Sequence, residues 1–265
     1  MSDGADPLAA ARRAVWIDTE AEQRVPLGAP LLDGALGGGL ARGRLHEIFA
    51  CEAADATAAS GFAAMLATRL PGAILWLRRA GARGVPYPPG LAALGLDPAR
   101  LILATLPDPT ALLRAAADAA RCPGVGVVVA VARGESRALD LAASRRLALA
   151  AERSGATVLL VRIEARECPS AARTRWRVAA APSLPLAGRA PGAPALRLEL
   201  PRRRGGPPAG PWLMEWDRAE RCLRPFGETR GDTFADGVLP DGAALPGAVP
   251  AASLRGPDPG ERRIA

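Results

Sequence analysis

Leu31–Leu70 reads LLDGALGGGLARGRLHEIFACEAADATAASGFAAMLATRL. It has the layout of a phosphate-binding unit: a strand over Gly43–Phe49, a loop over Ala50–Thr57 and a helix over Ser60–Leu70. Upstream, a short helix at Leu31–Leu36 is stopped by Gly37-Gly38-Gly39, which lack a Cβ and accept positive φ. Such loops work because glycines let backbone N–H groups close on phosphate oxygens while a lysine reaches the terminal ones. Here the loop is Ala50-Cys51-Glu52-Ala53-Ala54-Asp55-Ala56-Thr57, with no glycine and with Ala56 at the lysine position. Glu52 and Asp55 would repel a triphosphate. Thr57 keeps the hydroxyl of the magnesium-binding position, but alone it is an ordinary residue for a helix start. The frame is that of a nucleotide-binding fold; its chemistry argues against a nucleotide, and no cofactor is expected.

Beyond this unit, strands and helices alternate. Strands are expected at Ala73–Leu77, Arg100–Thr105, Val125–Val131 and Thr157–Ile163, with helices around Gly90–Leu94 and over Pro109–Cys122 and Ser136–Gly155. Short continuous apolar strands between helices point to a mostly parallel sheet flanked by helices, an α/β fold buried on both faces. From Thr174 the pattern changes to polar–apolar alternation in TRWRVAAA, ALRLELPRRR and PWLMEWD, as expected of antiparallel strands. The divisions that follow are a helical arm over 1–25, a core over 26–172, a β-rich extension over 173–226 and a tail over 227–265. The arm's helix is expected over 7–23, with Trp16 and Ile17 as its packing residues. The tail is rich in Gly, Pro and Asp, with Phe234, Val238, Leu239, Leu245 and Leu254 isolated in it, and is expected to be disordered until bound. A docking motif and plain disorder are both consistent with it.

The chain contains no lysine, so its 34 basic residues are all arginine, and it contains no asparagine. A GC-rich coding sequence accounts for arginine on the surface, but not for alanine at position 56. The net charge of +7 permits an acidic partner, nucleic acid or protein, without choosing between them. Cys51, Cys122, Cys168 and Cys222 are far apart, and with one histidine, His46, a metal site is not expected. A reduced, cytoplasmic protein is the expectation. Residues 1–24 carry no signal-peptide core, and no apolar run is long enough to span a membrane.

These elements, in this order, resemble the RecA core, and more closely the ImuA family of damage-inducible mutagenesis proteins. The residues that carry the resemblance are LLDGALGGGLARGRLHEI, LWLRRAG, PPGLAALGLDPARLIL, LDLAASRRLALAAERSGATVLLVR, ARTRWRVAAAPS and LRLELPRRRGG…WLMEWD, spread over about residues 26–217. The resemblance implies an SOS-type damage response and partners of three kinds: ImuB, an inactive Y-family polymerase relative; RecA itself; and an error-prone C-family DNA polymerase. DNA is a possible partner, expected to be reached indirectly, and no membrane partner is expected. Set against RecA, four features are missing together. The phosphate loop is degenerate, and Arg78-Arg79-Ala80-Gly81 stands where a catalytic glutamate should follow the second strand. The strand ending Val131-Ala132 lacks a magnesium-directed carboxylate. Only Ala132–Arg137 and Glu164–Arg173 remain where RecA has mobile DNA-holding segments. The implied protein is not an enzyme but an adaptor for mutagenic translesion synthesis. An active ATPase with an atypical loop, or a cell-division inhibitor of the SulA type, remain alternatives.

Two arginine groups are candidate partner or DNA contacts. Arg202-Arg203-Arg204 precedes Gly205-Gly206, and in RecA-like proteins the matching region faces a neighbouring subunit; a solvated hairpin end is the ordinary alternative. Arg173, Arg175 and Arg177 alternate with Thr174, Trp176 and Val178, giving one basic face, either for DNA or as the charged guard of an edge strand. Trp212 and Trp216 share a strand face and are expected in the core rather than as a base-stacking platform. His46, beside Glu47, has no nucleophile near it in sequence and is expected to be structural. Gly124-Val-Gly126 precedes a strand, the wrong order for a dinucleotide fingerprint.

Overall fold

A run of β-branched and leucine residues bounded by glycines cannot hide its apolar surface unless both faces are covered, and this dictates the centre of the molecule. The computed structural model describes residues 22–82, 84–186 and 192–226. A two-stranded ribbon pairs β1 (Arg24–Val25) with β2 (Leu40–Ala41). Between them lies α1 (Pro30–Leu36), whose C-cap Gly37 is left-handed at φ 75°. Then follow β3 (Leu45–Ala50), α2 (Ala56–Arg69), β4 (Ala73–Arg79), α3 (Pro88–Ala93), β5 (Leu101–Leu106), α4 (Pro109–Arg121) and β6 (Val125–Arg133). The chain continues through α5 (Leu141–Ser154), β7 (Thr157–Ile163), β8 (Thr174–Ala181), β9 (Ala195–Arg203), β10 (Ala209–Asp217) and β11 (Cys222–Pro225).

Nine strands form one sheet in the order β11-β10-β9-β8-β3-β7-β6-β4-β5. From β8 through β3, β7, β6 and β4 to β5, every neighbouring pair is parallel. From β8 through β9 and β10 to β11, every pair is antiparallel. The expected switch to antiparallel strands therefore falls one strand later than the sequence pattern suggests: β8 is parallel to β3 and antiparallel to β9. Polar–apolar alternation in β8 reflects the buried ion pair of Arg175 on a face that opens to solvent at Arg177.

All residues of β3 and β7 are buried, as central strands require. One face carries α1 and α2 and a core that includes Phe62, Leu66, Trp76, Trp176, Trp212 and Trp216. The other carries α4 and α5, packed through Leu112, Leu113, Ala116, Leu147 and Ala151 against Leu45, Val128 and Leu160. Alanine lines α4 and α5 at helical spacing, so the two helices lie close to the sheet.

Several helix bounds differ from expectation for identifiable reasons. α2 begins at Ala56, preceded by a single 3-10 turn at Ala53–Asp55, because Glu52 and Asp55 cap that turn. α5 begins at Leu141 because Asp140 caps it, its carboxylate accepting from the Ala143 amide at 2.7 Å. The arm expected over 7–23 lies outside the described residues except for Glu22 and Gln23, which are not helical. The tail over 227–265 also lies outside them.

Candidate functional site

The loop between β3 and α2 is closed upon itself. The Glu52 amide donates to Asp55 Oδ2 at 3.1 Å, the Asp55 amide donates to the Glu52 carbonyl at 3.1 Å, and the Glu52 carboxylate completes the capping box. The Cys51 amide donates to the Val178 carbonyl at 3.1 Å. Asp55 Oδ1 accepts from the Ala180 amide on β8 at 2.8 Å. No residue of Ala50–Thr57 has positive φ, so the backbone does not fold into a nest of converging N–H groups. The sequence suggested that Glu52 and Asp55 act by repulsion. Asp55 instead is 9% exposed and serves as an internal anion, taking up amides from the loop and from β8.

The cleft at the carboxyl edge of the sheet has a volume of about 320 Å³ and is lined by Thr57, Ser60, Trp76, Arg78, Tyr87 and Arg133, among others. Its described lining contains no carboxylate. The Arg78 guanidinium turns back to the Ala82 carbonyl, and Arg133 pairs with Glu164 at 3.0 Å. The cleft thus has a loop closed on its own amides on one side and tethered arginines on the other. Tyr87 and Val85 stand on its rim, 70% and 63% exposed.

The basic face expected on β8 is occupied internally, and β8 is not an edge strand. Glu47 on β3 stands in register with Arg175. Its Oε2 accepts from Arg175 Nη2 at 2.8 Å, Arg175 Nε at 3.0 Å and the Ser170 hydroxyl at 2.9 Å. Arg162 Nη1 lies 3.9 Å from Oε1, and both guanidinium groups stack on Phe49 at 5.3 Å. Burial opposes the charge on Arg175, but Glu47 and then Glu167 outweigh it and hold its pKa above the ordinary guanidinium range. Arg177 pairs with Glu167 at 2.7 Å, and Arg173 with Glu22 at 2.7 Å. Glu47 went unnoticed as an ion-pair partner in sequence because only strand register brings it beside Arg175.

Arg202, Arg203 and Arg204 are not a uniformly solvated hairpin end. Arg202 Nη1 donates to the Ser170 carbonyl at 3.0 Å. Arg203 is half-buried and Arg204 exposed. With Arg24 and Arg173 they wall a recess of about 270 Å³ at the amino edge of the sheet, beside Gly37 and Gly39.

His46, Trp212 and Trp216 are packed in the core, as expected. Trp176 Nε1 donates to Thr174 Oγ1 at 3.1 Å, and the Thr174 hydroxyl lies 2.7 Å from His46 Nδ1. His46 Nε2 lies 2.9 Å from the Ala41 carbonyl, which can only accept, so Nε2 carries the proton. Burial drives the pKa of His46 down to about 4, against the raising effect of the Ala41 hydrogen bond. Trp212 and Trp216 are buried, and Trp216 Nε1 donates to the Leu94 carbonyl at 3.2 Å. Among the described residues, no group of three or more His, Cys, Asp or Glu is placed to hold a metal, and no helix is long and apolar enough to cross a membrane.

The sheet order and the strand–loop–helix unit at β3–α2 make this a RecA-like α/β protein. The fold is similar to the crystal structure of the RadB recombinase, with a TM-score of 0.50 and 18% identity over 76% of this chain and 98% of that one. The chain is 37% identical over 230 residues to Protein ImuA of Caulobacter vibrioides, in strains NA1000/CB15N and ATCC 19089, covering 78% of this chain and 91% of each relative. It belongs to the ImuA family. No protein-family model matches the chain.

Proposed function

We propose that this chain is a non-catalytic RecA-like adaptor in SOS-induced mutagenic translesion synthesis. Its partners would be an ImuB-type polymerase relative, RecA and an error-prone C-family DNA polymerase. Membership of the ImuA family supports the pathway and the partners. The observation that carries the loss of catalysis is Asp55: its carboxylate is bonded to the Glu52 and Ala180 amides where a phosphate-binding loop would direct free amides at its ligand. Arg78 and Arg133 at the ends of β4 and β6 offer neither a base for water nor an oxygen ligand for magnesium.

Two measurements test this on the full chain. Calorimetric titration with Mg–ATP into the millimolar range should show no saturable heat, and no phosphate should be released. Purified ImuB-type protein should be retained by the immobilised chain in the absence of nucleotide. Saturable nucleotide binding with turnover overturns the non-catalytic assignment; failure to retain any of the three partners overturns the adaptor assignment.

A further inference from the structure

We propose that the recess walled by Arg24, Arg173, Arg203 and Arg204 binds a phosphate group. It lies at the opposite end of β3 from the Asp55 loop: Thr174, which opens β8, pairs with Arg203, which closes β9. The site is independent of the adaptor reading above, since nucleotide binding at the carboxyl edge would leave it standing.

Its centre is Arg203. The Nε of this side chain is buried and has no hydrogen-bond partner among the described residues, and the guanidinium makes no ion pair with them. Two glycines make room for it. A Cβ on Gly206 would lie 1.8 Å from Arg203 Nη2, and one on Gly37 would lie 3.4 Å from Nη1. The turn after β9 and the C-cap of α1 thus form a cradle that side chains would fill.

Glu22 already accepts from Arg24, from Arg44 at 3.1 Å and from Arg173 at 2.7 Å, and among the described residues no ion pair reaches Arg203 or Arg204. Arg24 is further held by the Leu36 carbonyl at 2.5 Å. Burial, and then the charges of Arg24 and Arg173, push the pKa of Arg203 below its ordinary value. Burial, Arg202 and Arg173 do the same to Arg204, with Glu152 the opposing charge. A planar carboxylate satisfies one guanidinium fork, whereas a tetrahedral phosphate oxyanion accepts from several directions and carries more charge. Phosphate is therefore the chemistry that matches several guanidinium groups around one recess.

The phosphate could come from free inorganic phosphate or from a nucleic-acid backbone, and the experiment separates the two. The full chain is titrated with inorganic phosphate and, separately, with a fluorescently labelled single-stranded oligonucleotide, followed by melting temperature and anisotropy. Arg203→Gln is the test variant, exposed Arg204→Gln the second, and Arg114→Gln on α4 a control of equal charge change. Expected results are saturable phosphate binding, at least a tenfold loss in Arg203→Gln, a smaller loss in Arg204→Gln and none in Arg114→Gln. Arg203→Gln should also melt no lower than the parent in phosphate-free buffer, because the lost guanidinium has no partner among the described residues. Oligonucleotide that competes with phosphate identifies the backbone as the source, and phosphate binding without competition identifies the free ion. The proposal is overturned by the absence of saturable binding of either probe, or by equal losses in Arg203→Gln and Arg114→Gln.

Discussion

Glu47 and Arg175 face one another at matching register on adjacent parallel strands and close a buried ion pair of 2.8 Å. Both are less than 10% exposed, and Arg162 shares the carboxylate at 3.9 Å. Removing Glu47 leaves buried Arg162 without an ion pair among the described residues and Arg175 with Glu167 alone, at 3.1 Å. Glu47→Ala should therefore cost about 3–5 kcal/mol in urea unfolding. The double change Glu47→Met, Arg175→Met should recover much of that loss. A single substitution costing less than about 1 kcal/mol would show that the pair does not organise the β3–β8 seam.

The Asp55 box makes an opposite pair of expectations for stability and nucleotide. Asp55→Ala frees the Glu52 and Ala180 amides and should cost about 1–2 kcal/mol of unfolding free energy. Combining Asp55→Gly with Ala56→Lys supplies a glycine and a lysine to the loop but no base and no magnesium ligand. No ATP turnover is expected in a phosphate-release assay. Turnover from these two changes alone would contradict the non-catalytic assignment.

His46 sets an acid limit on stability. Its pKa is about 4 in the folded protein against an ordinary 6.5, so the unfolded chain takes up the proton first as pH falls. Its contribution is complete above about pH 6.5, declines between 6.5 and about 4, and is spent below that; the whole interval corresponds to about 3 kcal/mol. Glu22 acts lower on the scale. Burial works to raise its pKa, but Arg44, Arg173 and Arg24 bring it below the ordinary 4.5, so its contribution is lost as pH falls through that lowered value. Urea midpoints measured across this range should fall first over the histidine interval. A flat profile between about pH 6.5 and 4 would show that His46 is not held neutral by burial.

Much of this architecture is legible from residue pattern alone. Continuous apolar runs such as VGVVVAV and TVLLVRI mark central parallel strands, and Pro109 marks the first turn of α4. The loop's lost chemistry is visible as missing glycine and lysine. Its actual device is not, because the amide of Ala180 is 125 residues from Asp55 and only β8 brings it near. The same limit applies to the arginines. Alternation in TRWRVAAA shows which residues share a face, but it cannot reveal that Glu47 and Glu167 stand opposite them. Nor does the arginine run at 202–204 show that Arg202 and Arg203 have different surroundings. Contacts across the sheet are set by register, which a single strand's pattern leaves open.

Gly126 illustrates how one glycine fixes that register. It sits at the irregularity where Ala73 pairs with Val125 and Ile74 with Val127, and a Cβ there would lie 1.8 Å from the Pro71 carbonyl oxygen. That neighbour is backbone, so it cannot swing away as a side chain would. Gly126→Ala should therefore cost about 3 kcal/mol, near the upper end of the range for overpacking. Gly124, two residues earlier, has φ 89° but open space around its Cβ position. Gly124→Ala should cost only the left-handed backbone term, about 1–2 kcal/mol. Denaturant unfolding of both variants ranks them: a loss at 126 no larger than that at 124 would mean that the approach of β6 to the Pro71 turn does not require glycine there.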